Sequence, residues 1–385
     1  MNVAIKDEQR YMRMALDLAE KGKGRVSPNP LVGAVIVNGD RVVGTGYHAL
    51  YGDEHAETKA LQEAGSEARG ATLFINLEPC CHHGKTPPCV DQIIQSGISR
   101  VVVSIRDPNP LVNGKSIEAL KGNGIEVKMG VMEKSALRLN EYFLKHITTG
   151  TPFIILKSAM SLDGKVATKT GESKWVTGER SREYVHKLRN EIDATLVGIE
   201  TILRDNPRLT TRLKSGEGRD PIRIVIDSLL RIPLRARILT EESKAANIIV
   251  TTLNAPMDRI KRLEDNGARV LYIEPKGRNR VDLLAMAKEL GNLQITSLLI
   301  EGGPGINASA IQEGIVDKVI MFIAPRIIGG KSAPSAIQGE GVARLEEAIK
   351  VYDIKTKRLG DDLMVEGYIP KPPSCVWSPL GCKIK

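Results

Sequence analysis

A histidine and a glutamate one residue apart, His55-Ala56-Glu57, are followed by Pro79-Cys80 and, after eight further residues, by Cys89. This set constrains the fold because side chains far apart in sequence must meet at one point to share any chemistry. One imidazole and two thiolates give Zn²⁺ three protein ligands and leave a fourth position open, as catalytic zinc sites do. A carboxylate beside that position can take a proton from bound water and pass it on. Glu57 suits that role, outside the ligand set.

Plainer readings compete. His55 alone suits a core or surface histidine, and the thiols suit a structural zinc site. A structural site normally takes four protein ligands, and Cys81, His82 and His83 stand nearby as a fourth. Only the catalytic reading gives Glu57 work. Zinc lowers the pKa of its water from about 15.7 to about 7, which supplies a nucleophile at neutral pH. Attack on an amidine-like ring carbon, with Glu57 carrying the proton to the amino group, releases ammonia. This is the chemistry of zinc deaminases.

The pattern around the motif predicts an α/β domain. Asp7 caps a helix with Tyr11, Met14, Ala15 and Leu18 on one face. Residues 32–37 and 41–47 read as a hairpin around Asn38-Gly39. The helix carrying His55 and Glu57 ends near Gly65. A buried strand over 71–77 delivers Pro79-Cys80, Cys89 opens the next helix, and 100–105 is a further strand. The chain has 385 residues, enough for two domains. The first is expected over 1–147. Thr148-Thr149-Gly150-Thr151-Pro152 reads as a linker, and a second α/β domain is expected over 152–370. Its strands are predicted at 153–157, 194–197, 223–227, 246–251, 297–301, 319–323 and 363–369. Residues 371–385 lack periodicity and hold three prolines, which predicts a disordered tail.

Charge and cysteine usage bound the partners. The net charge of +9 suits phosphorylated small molecules and also nucleic acid. Scattered Lys and Arg and only 4% aromatic residues leave little surface for stacking bases. Of the five cysteines, three crowd the motif and two lie in the tail, which fits metal binding in a reducing cytoplasm. The N-terminus lacks the apolar run of a signal peptide, and no stretch approaches about 20 apolar residues, so no membrane association is expected.

A second feature lies late in the chain. The apolar run 297–301 enters Gly302-Gly303-Pro304-Gly305 and then Ile306-Asn307-Ala308-Ser309. A glycine-rich turn opening a helix offers N–H groups and a positive dipole end to phosphate. A plain tight turn is the competing reading. A Rossmann site also wants a carboxylate about 20 residues on. The next strand ends Phe322-Ile323-Ala324-Pro325-Arg326, without one. An ordinary Rossmann NAD site is therefore not expected.

Asn29-Pro30-Leu31-Val32-Gly33, His55-Ala56-Glu57 and Thr86-Pro87-Pro88-Cys89 resemble the RibD family of bifunctional riboflavin-biosynthesis enzymes. So do the stretch from Lys157 to Lys165, Trp175-Val176-Thr177-Gly178 and the stretch from Asp205 to Arg212, and the likeness runs over about residues 7–368. It implies two three-layer α/β domains, cytidine-deaminase-like and then dihydrofolate-reductase-like. It implies zinc-dependent deamination of 2,5-diamino-6-(5-phosphoribosylamino)pyrimidin-4(3H)-one. NADPH reduction of 5-amino-6-(5-phosphoribosylamino)uracil to the ribitylamino product follows. By the same likeness His55, Cys80 and Cys89 bind zinc, Glu57 is catalytic, and Asn29 and His82 contact the pyrimidine substrate. Ala159, Trp175, Thr201, Asp205, Ser228, Gly303, Pro304, Gly305, Ile306, Asn307, Ala308 and Ser309 contact NADPH. Ser173, Arg189, Leu209, Arg212 and Glu301 contact the substrate of the reduction, and a guanidinium fork matches a phosphate. Cys81 departs from the small polar residue expected after the first thiol ligand. No side chain stands out as the proton donor of the reduction. The expected partners are small phosphorylated pyrimidines and not nucleic acid, with a homo-oligomer possible. The alternative is an RNA-binding zinc deaminase acting on a tRNA base.

Overall fold

The computed structural model describes residues 5–81, 88–216, 218–277 and 280–370. His82 and the segment 371–385 lie outside the described residues. The chain divides into two compact units at residues 149 and 150.

The first unit runs α1 (Ile5–Glu20), β1 (Gly33–Asn38), β2 (Arg41–Tyr47), α2 (Ala56–Ala64), β3 (Thr72–Leu77), α3 (Cys89–Gln95), β4 (Arg100–Ile105), α4 (Lys115–Gly122), β5 (Glu126–Met129), α5 (Glu133–Leu139) and α6 (Glu141–Thr149). Its sheet has the order β2-β1-β3-β4-β5. β1 is antiparallel to β2 and β3, and β3, β4 and β5 are parallel. Asn38 pairs with Arg41, so Gly39-Asp40 forms the hairpin turn, one residue later than the sequence pattern suggests. Gly39 supplies the left-handed φ of +63° that such a turn needs.

Two details of α1 differ from expectation. The helix begins at Ile5, so Asp7 lies in its first turn and is not its cap. Its buried face is Tyr11, Met12, Ala15, Leu16 and Ala19, whereas Met14 and Leu18 are only half-buried. The apolar stripe is wide enough to admit either rotation, and packing on the sheet selects one.

Glycines set how closely helices approach this sheet. A Cβ on Gly33 would fall 2.0 Å from the Ala15 carbonyl of α1. Cβ atoms on Gly44 and Gly46 would fall 2.2 and 2.1 Å from the carbonyls of Ala60 and Ala56 in α2. On the facing side, Ala56, Ala60 and Ala64 are buried at intervals of one turn. Small residues on both surfaces therefore bring α2 down onto β2, which fixes where its first turn points.

The second unit comprises β6 (Phe153–Ser161), α7 (Glu179–Glu191), β7 (Ala194–Gly198), α8 (Ile199–Asp205), β8 (Ile222–Ile226), α9 (Arg237–Thr240), β9 (Asn247–Thr251), α10 (Met257–Asp265), β10 (Ala268–Tyr272), β11 (Pro275–Lys276), β12 (Arg280–Val281), α11 (Leu283–Asn292), β13 (Ser297–Ile300), α12 (Pro304–Gln312), β14 (Lys318–Ala324), β15 (Tyr352–Leu359) and β16 (Asp362–Tyr368). Nine strands form one sheet, ordered β10-β9-β8-β7-β13-β6-β14-β16-β15. The strands from β10 to β14 in that order are parallel, and β16 and β15 add an antiparallel margin. Parallel strands covered on both faces read as continuous apolar runs, as in Ala-Thr-Leu-Val-Gly of β7, buried throughout. Their carboxyl ends share one edge, where open α/β sheets place their ligands. Among the described residues no helix is long and apolar enough to cross a membrane.

The packing of α2 on β2 yields a prediction. Gly46→Val sets a branched side chain against the Ala56 carbonyl, and overpacking of this kind costs about 1–3 kcal/mol or more. The variant should melt earlier and bind less zinc per chain by metal analysis. Gly39→Asn should do neither, because an added Cβ there meets nothing within 4 Å and asparagine tolerates a left-handed backbone.

Candidate active sites

The fold brings three side chains of the first unit together. His55 sits at the N-cap of α2, Cys80 follows β3, and Cys89 is the first residue of α3. His55 Nδ1 lies 3.2 Å from Cys89 Sγ and 3.6 Å from Cys80 Sγ. The three donor atoms all lie within 4.8 Å of one another. Bond lengths of about 2.0 Å to nitrogen and 2.3 Å to sulfur place tetrahedral N and S ligands about 3.5 Å apart. The donor set therefore fits zinc, with Nδ1 as the ligating nitrogen.

Electrostatics point the same way. The Cys89 hydrogen bond, with His55 nearby, holds the Cys80 thiol down to about 4 against its burial. The Cys89 thiol is pushed the other way, by its hydrogen bond to Cys80 and then by burial. Two sulfurs this close do not both ionise by themselves; a dication between them removes that conflict. Glu57 is 3% exposed. Burial, and then the charge of Cys80, raises its carboxyl to about 7.

A cavity of about 240 Å³ adjoins these residues, and Asn29, His48, Tyr51, Asp107, Asn109 and Phe143 also line it. His48 Nδ1 donates to the Glu54 carbonyl at 3.3 Å, so its Nε2 accepts from Asn29 Nδ2 at 3.1 Å. Burial lowers the His48 pKa, which favours this neutral form. The arrangement orients the Asn29 amide and leaves its Oδ1 as acceptor. Glu78, just before the first thiol, accepts from Asp107 N at 3.2 Å, Gly114 N at 2.9 Å and Ser116 Oγ at 2.7 Å. It thereby pins the loop that carries Asp107 and Asn109. Sequence reasoning missed His48, Asp107 and Asn109, because they approach only through the sheet order.

In the second unit a cleft of about 1900 Å³ opens at the carboxyl edge of the parallel strands. Ala159, Ser173, Trp175, Arg189, Thr201, Asp205, Arg212, Ser228, Glu301 and the run from Gly303 to Ser309 all line it. Leu209 stands apart. Its side chain is buried in an apolar cluster with Ile202 and Leu230 and is absent from the cleft lining, so any contact it makes with substrate comes from its backbone. Trp175 is 61% exposed, with the Arg182 guanidinium 4.7 Å from its ring centre.

The glycine turn has the form a phosphate cradle needs. Gly303 is the N-cap of α12, Pro304 follows at its start, and no side chain caps the helix. A Cβ on Gly303 would meet only Thr201 Oγ1, at 3.7 Å, and one on Gly305 would meet nothing within 4 Å. The first amides of α12 therefore face open space beside a positive dipole end, which suits the phosphates of NADPH.

Beside the turn lies a buried carboxylate. Glu301 accepts from Arg189 Nε at 2.6 Å and Nη2 at 3.1 Å, from Lys157 Nζ at 3.3 Å and from Thr195 Oγ1 at 3.1 Å. Burial alone would raise its carboxyl, but Arg189 and then Lys157 overcome this and hold it at about 2. Lys157 is the residue that sequence reasoning passed over; the signal was a lysine inside the apolar run Phe-Ile-Ile-Leu-Lys of β6. A carboxyl held below its ordinary 4.5 adds stability that is present above pH 4.5 and lost as pH falls toward 2. Glu301→Gln leaves two half-buried cations short of a partner and should lower stability near neutrality, by less than the roughly 3–5 kcal/mol lost when a fully buried pair is broken. Denaturant melts of both proteins should differ most above pH 4.5 and converge as the pH drops below it.

Residues 5–105 match the family described as the cytidine and deoxycytidylate deaminase zinc-binding region. Residues 152–365 match the RibD C-terminal domain. The riboflavin biosynthesis protein RibD of Aquifex aeolicus is 46% identical over 358 residues, 93% of this chain and 97% of that one. Its counterpart in Escherichia coli is 38% identical over 367 residues, covering 92% and 98%. Among solved structures, RibD of Acinetobacter baumannii superposes with a TM-score of 0.85 at 34% identity, covering 96% of this chain and all of that one. The diaminohydroxyphosphoribosylaminopyrimidine deaminase/5-amino-6-(5-phosphoribosylamino)uracil reductase of Thermotoga maritima gives 0.82 at 35% identity, covering 95% and 99%. Two domain matches in this order, with relatives alike over nearly their whole length, carry one conclusion: the chain belongs to the RibD family.

Proposed function

We propose that the two sites perform consecutive steps on one phosphorylated pyrimidine. The first unit deaminates 2,5-diamino-6-(5-phosphoribosylamino)pyrimidin-4(3H)-one, and the second reduces the resulting 5-amino-6-(5-phosphoribosylamino)uracil with NADPH. The observation that carries this reading is the meeting of His55, Cys80 and Cys89 beside the buried Glu57. Aligned with the deaminase family match and followed by the RibD C-terminal match, it fits a deaminase–reductase.

In the deaminase cavity, His55, Cys80 and Cys89 would hold Zn²⁺, which when bound supplies Lewis acidity and an activated water. Glu57 would carry one proton of the attacking water to the ring nitrogen and the second to the exocyclic nitrogen, after which the C–N bond breaks, the carbonyl forms and ammonia departs. Burial of Glu57 raises its carboxyl, which favours a group that can take up a proton and hand it on. Asn29 Oδ1 accepts an N–H from the pyrimidine, in an orientation set by His48. The cavity of about 240 Å³ suits a single ring with its substituents. Thiol ligands that must stay reduced favour the cytoplasm.

In the reductase cleft, the first turn of α12 would receive cofactor phosphates, and Thr201, Asp205 and Ser228 line the same cleft. NADPH supplies the hydride for C1′. Opening the ribose also needs a proton at the ring oxygen, and we assign it to Lys157, which lines the cleft beside Glu301. Arg189 spends its fork on Glu301, and we assign the substrate phosphate to Arg212, which lines the same cleft and pairs with no carboxylate among the described residues.

Two variants test the assignment. Glu57→Gln should keep its zinc and lose ammonia release by about 10²–10⁴-fold, yet still reduce the deaminated substrate. Near-normal ammonia release contradicts the role given to Glu57. Gly303→Val should stop NADPH oxidation while ammonia release persists. A Cβ there meets nothing closer than Thr201 Oγ1 at 3.7 Å, and unimpaired NADPH oxidation contradicts the phosphate cradle.

A further inference from the structure

We propose that His186 is a positioning and specificity residue of the reductase cleft: a clasp whose hold on the Arg212 backbone aims that guanidinium at the substrate's 5′-phosphate. The proposal rests on reading the Arg212 side of the cleft as the phosphate subsite.

His186 and Arg189 lie one turn apart on α7, and both line the cleft. Arg189 is committed. It binds Glu301 through Nε and Nη2, and its Nη1 donates to the Thr210 carbonyl at 3.0 Å. Lys214 is committed as well, to Glu179 and Glu183. Arg212 differs. Its Nη1 donates to Thr210 Oγ1 at 2.9 Å, and among the described residues no carboxylate pairs with it. Burial, and then the charges of Arg189, Arg208 and Arg237, press on this guanidinium, with Asp220 the opposing carboxylate. Those three neighbours are paired with Glu301 and Glu241, whereas Arg212 is exposed and has no carboxylate partner among the described residues, which makes it a ready site for an incoming anion.

His186 completes that site without adding charge. Its Nδ1 accepts the backbone N–H of Arg212 at 3.3 Å, so in the neutral ring the proton resides on Nε2. Burial, followed by Arg189 and Arg212 and offset in part by Glu301 and a hydrogen bond with the Thr210 backbone, brings the imidazole down to about 4. The ring is thus neutral at physiological pH. A protonated histidine here would lose its grip on the Arg212 amide and repel both arginines. A neutral one holds the loop segment that carries Arg212, through the Arg212 amide and beside the Thr210 backbone. The ligand class is a phosphate monoester on a sugar, with the pyrimidine lying deeper in the cleft.

The test uses the full zinc-loaded chain with NADPH and two substrates, 5-amino-6-(5-phosphoribosylamino)uracil and its dephosphorylated ribosylamino form. A hydrogen bond to a charged group corresponds to about 10-fold or more in affinity. His186→Leu should raise KM for the phosphorylated substrate about 10-fold or more, with kcat reduced by less than about threefold, and leave kcat/KM for the dephosphorylated form within about twofold. His186→Gln keeps one acceptor and one donor and should restore KM to within about threefold of the parent. Equal losses on both substrates, or an unchanged KM in His186→Leu, overturn the proposal. Arg212→Leu separates the two levels. If Arg212→Leu discriminates between the substrates and His186→Leu does not, only the clasp is wrong. If Arg212→Leu does not discriminate, the phosphate subsite itself is misplaced and the clasp falls with it.

Discussion

Each unit is built around a glutamate that has been taken out of water, and the two are stabilised in opposite ways. Removing a carboxylate from solvent favours its neutral form unless cations compensate. Glu301 has that compensation from Arg189 and Lys157 and is held at about 2, a fixed anion. Glu57 faces burial beside a thiolate and rises to about 7, a group able to gain or lose a proton near neutrality. The same side chain is thus held ionised in one site and pushed toward its neutral form in the other. The rest of each unit serves to hold these environments in place.

In the first unit that work is done by close backbone contact. Gly33, Gly44 and Gly46 let α1 and α2 lie against the sheet, and the alanine stripe of α2 answers them. The N-terminus of α2 then meets the end of β3 and the start of α3, where histidine and thiols converge. In the second unit the topology itself makes the site. Parallel strands end along one edge, and a capless helix start, a buried ion cluster and a crowded arginine share the cleft that opens there. Within that cleft Arg189 is paired with Glu301, while Arg212 has no carboxylate partner among the described residues.

Much of this was legible from residue order. The hairpin, the strand before Cys80, the helix start at Cys89 and the apolar strands of the second unit follow from periodicity that burial later enforces. Other elements left little trace. β15 carries Lys355, Lys357 and Arg358 and is exposed along most of its length, so it lacks the apolar alternation that marks a half-buried strand. The face of α1 was misjudged by a rotation because its apolar residues cover more than one stripe. In the sites, residue types with distinctive chemistry and spacing announced themselves. His48, Asp107 and His186 did not, since a lone histidine or aspartate acquires meaning only when the fold supplies its neighbours. His82 matches the family pattern in sequence, and the segment holding it lies outside the described residues.

The central claim is that one chain carries two chemistries at two separate sites, in a fixed order on one substrate. The most direct measurement follows ammonia and NADPH together while purified zinc-loaded protein consumes the diaminopyrimidinone ribosyl phosphate. The account predicts one ammonia released for each NADPH oxidised, with ammonia appearing first and continuing when NADPH is omitted. NADPH oxidation without ammonia, or ammonia release that requires NADPH, would contradict it.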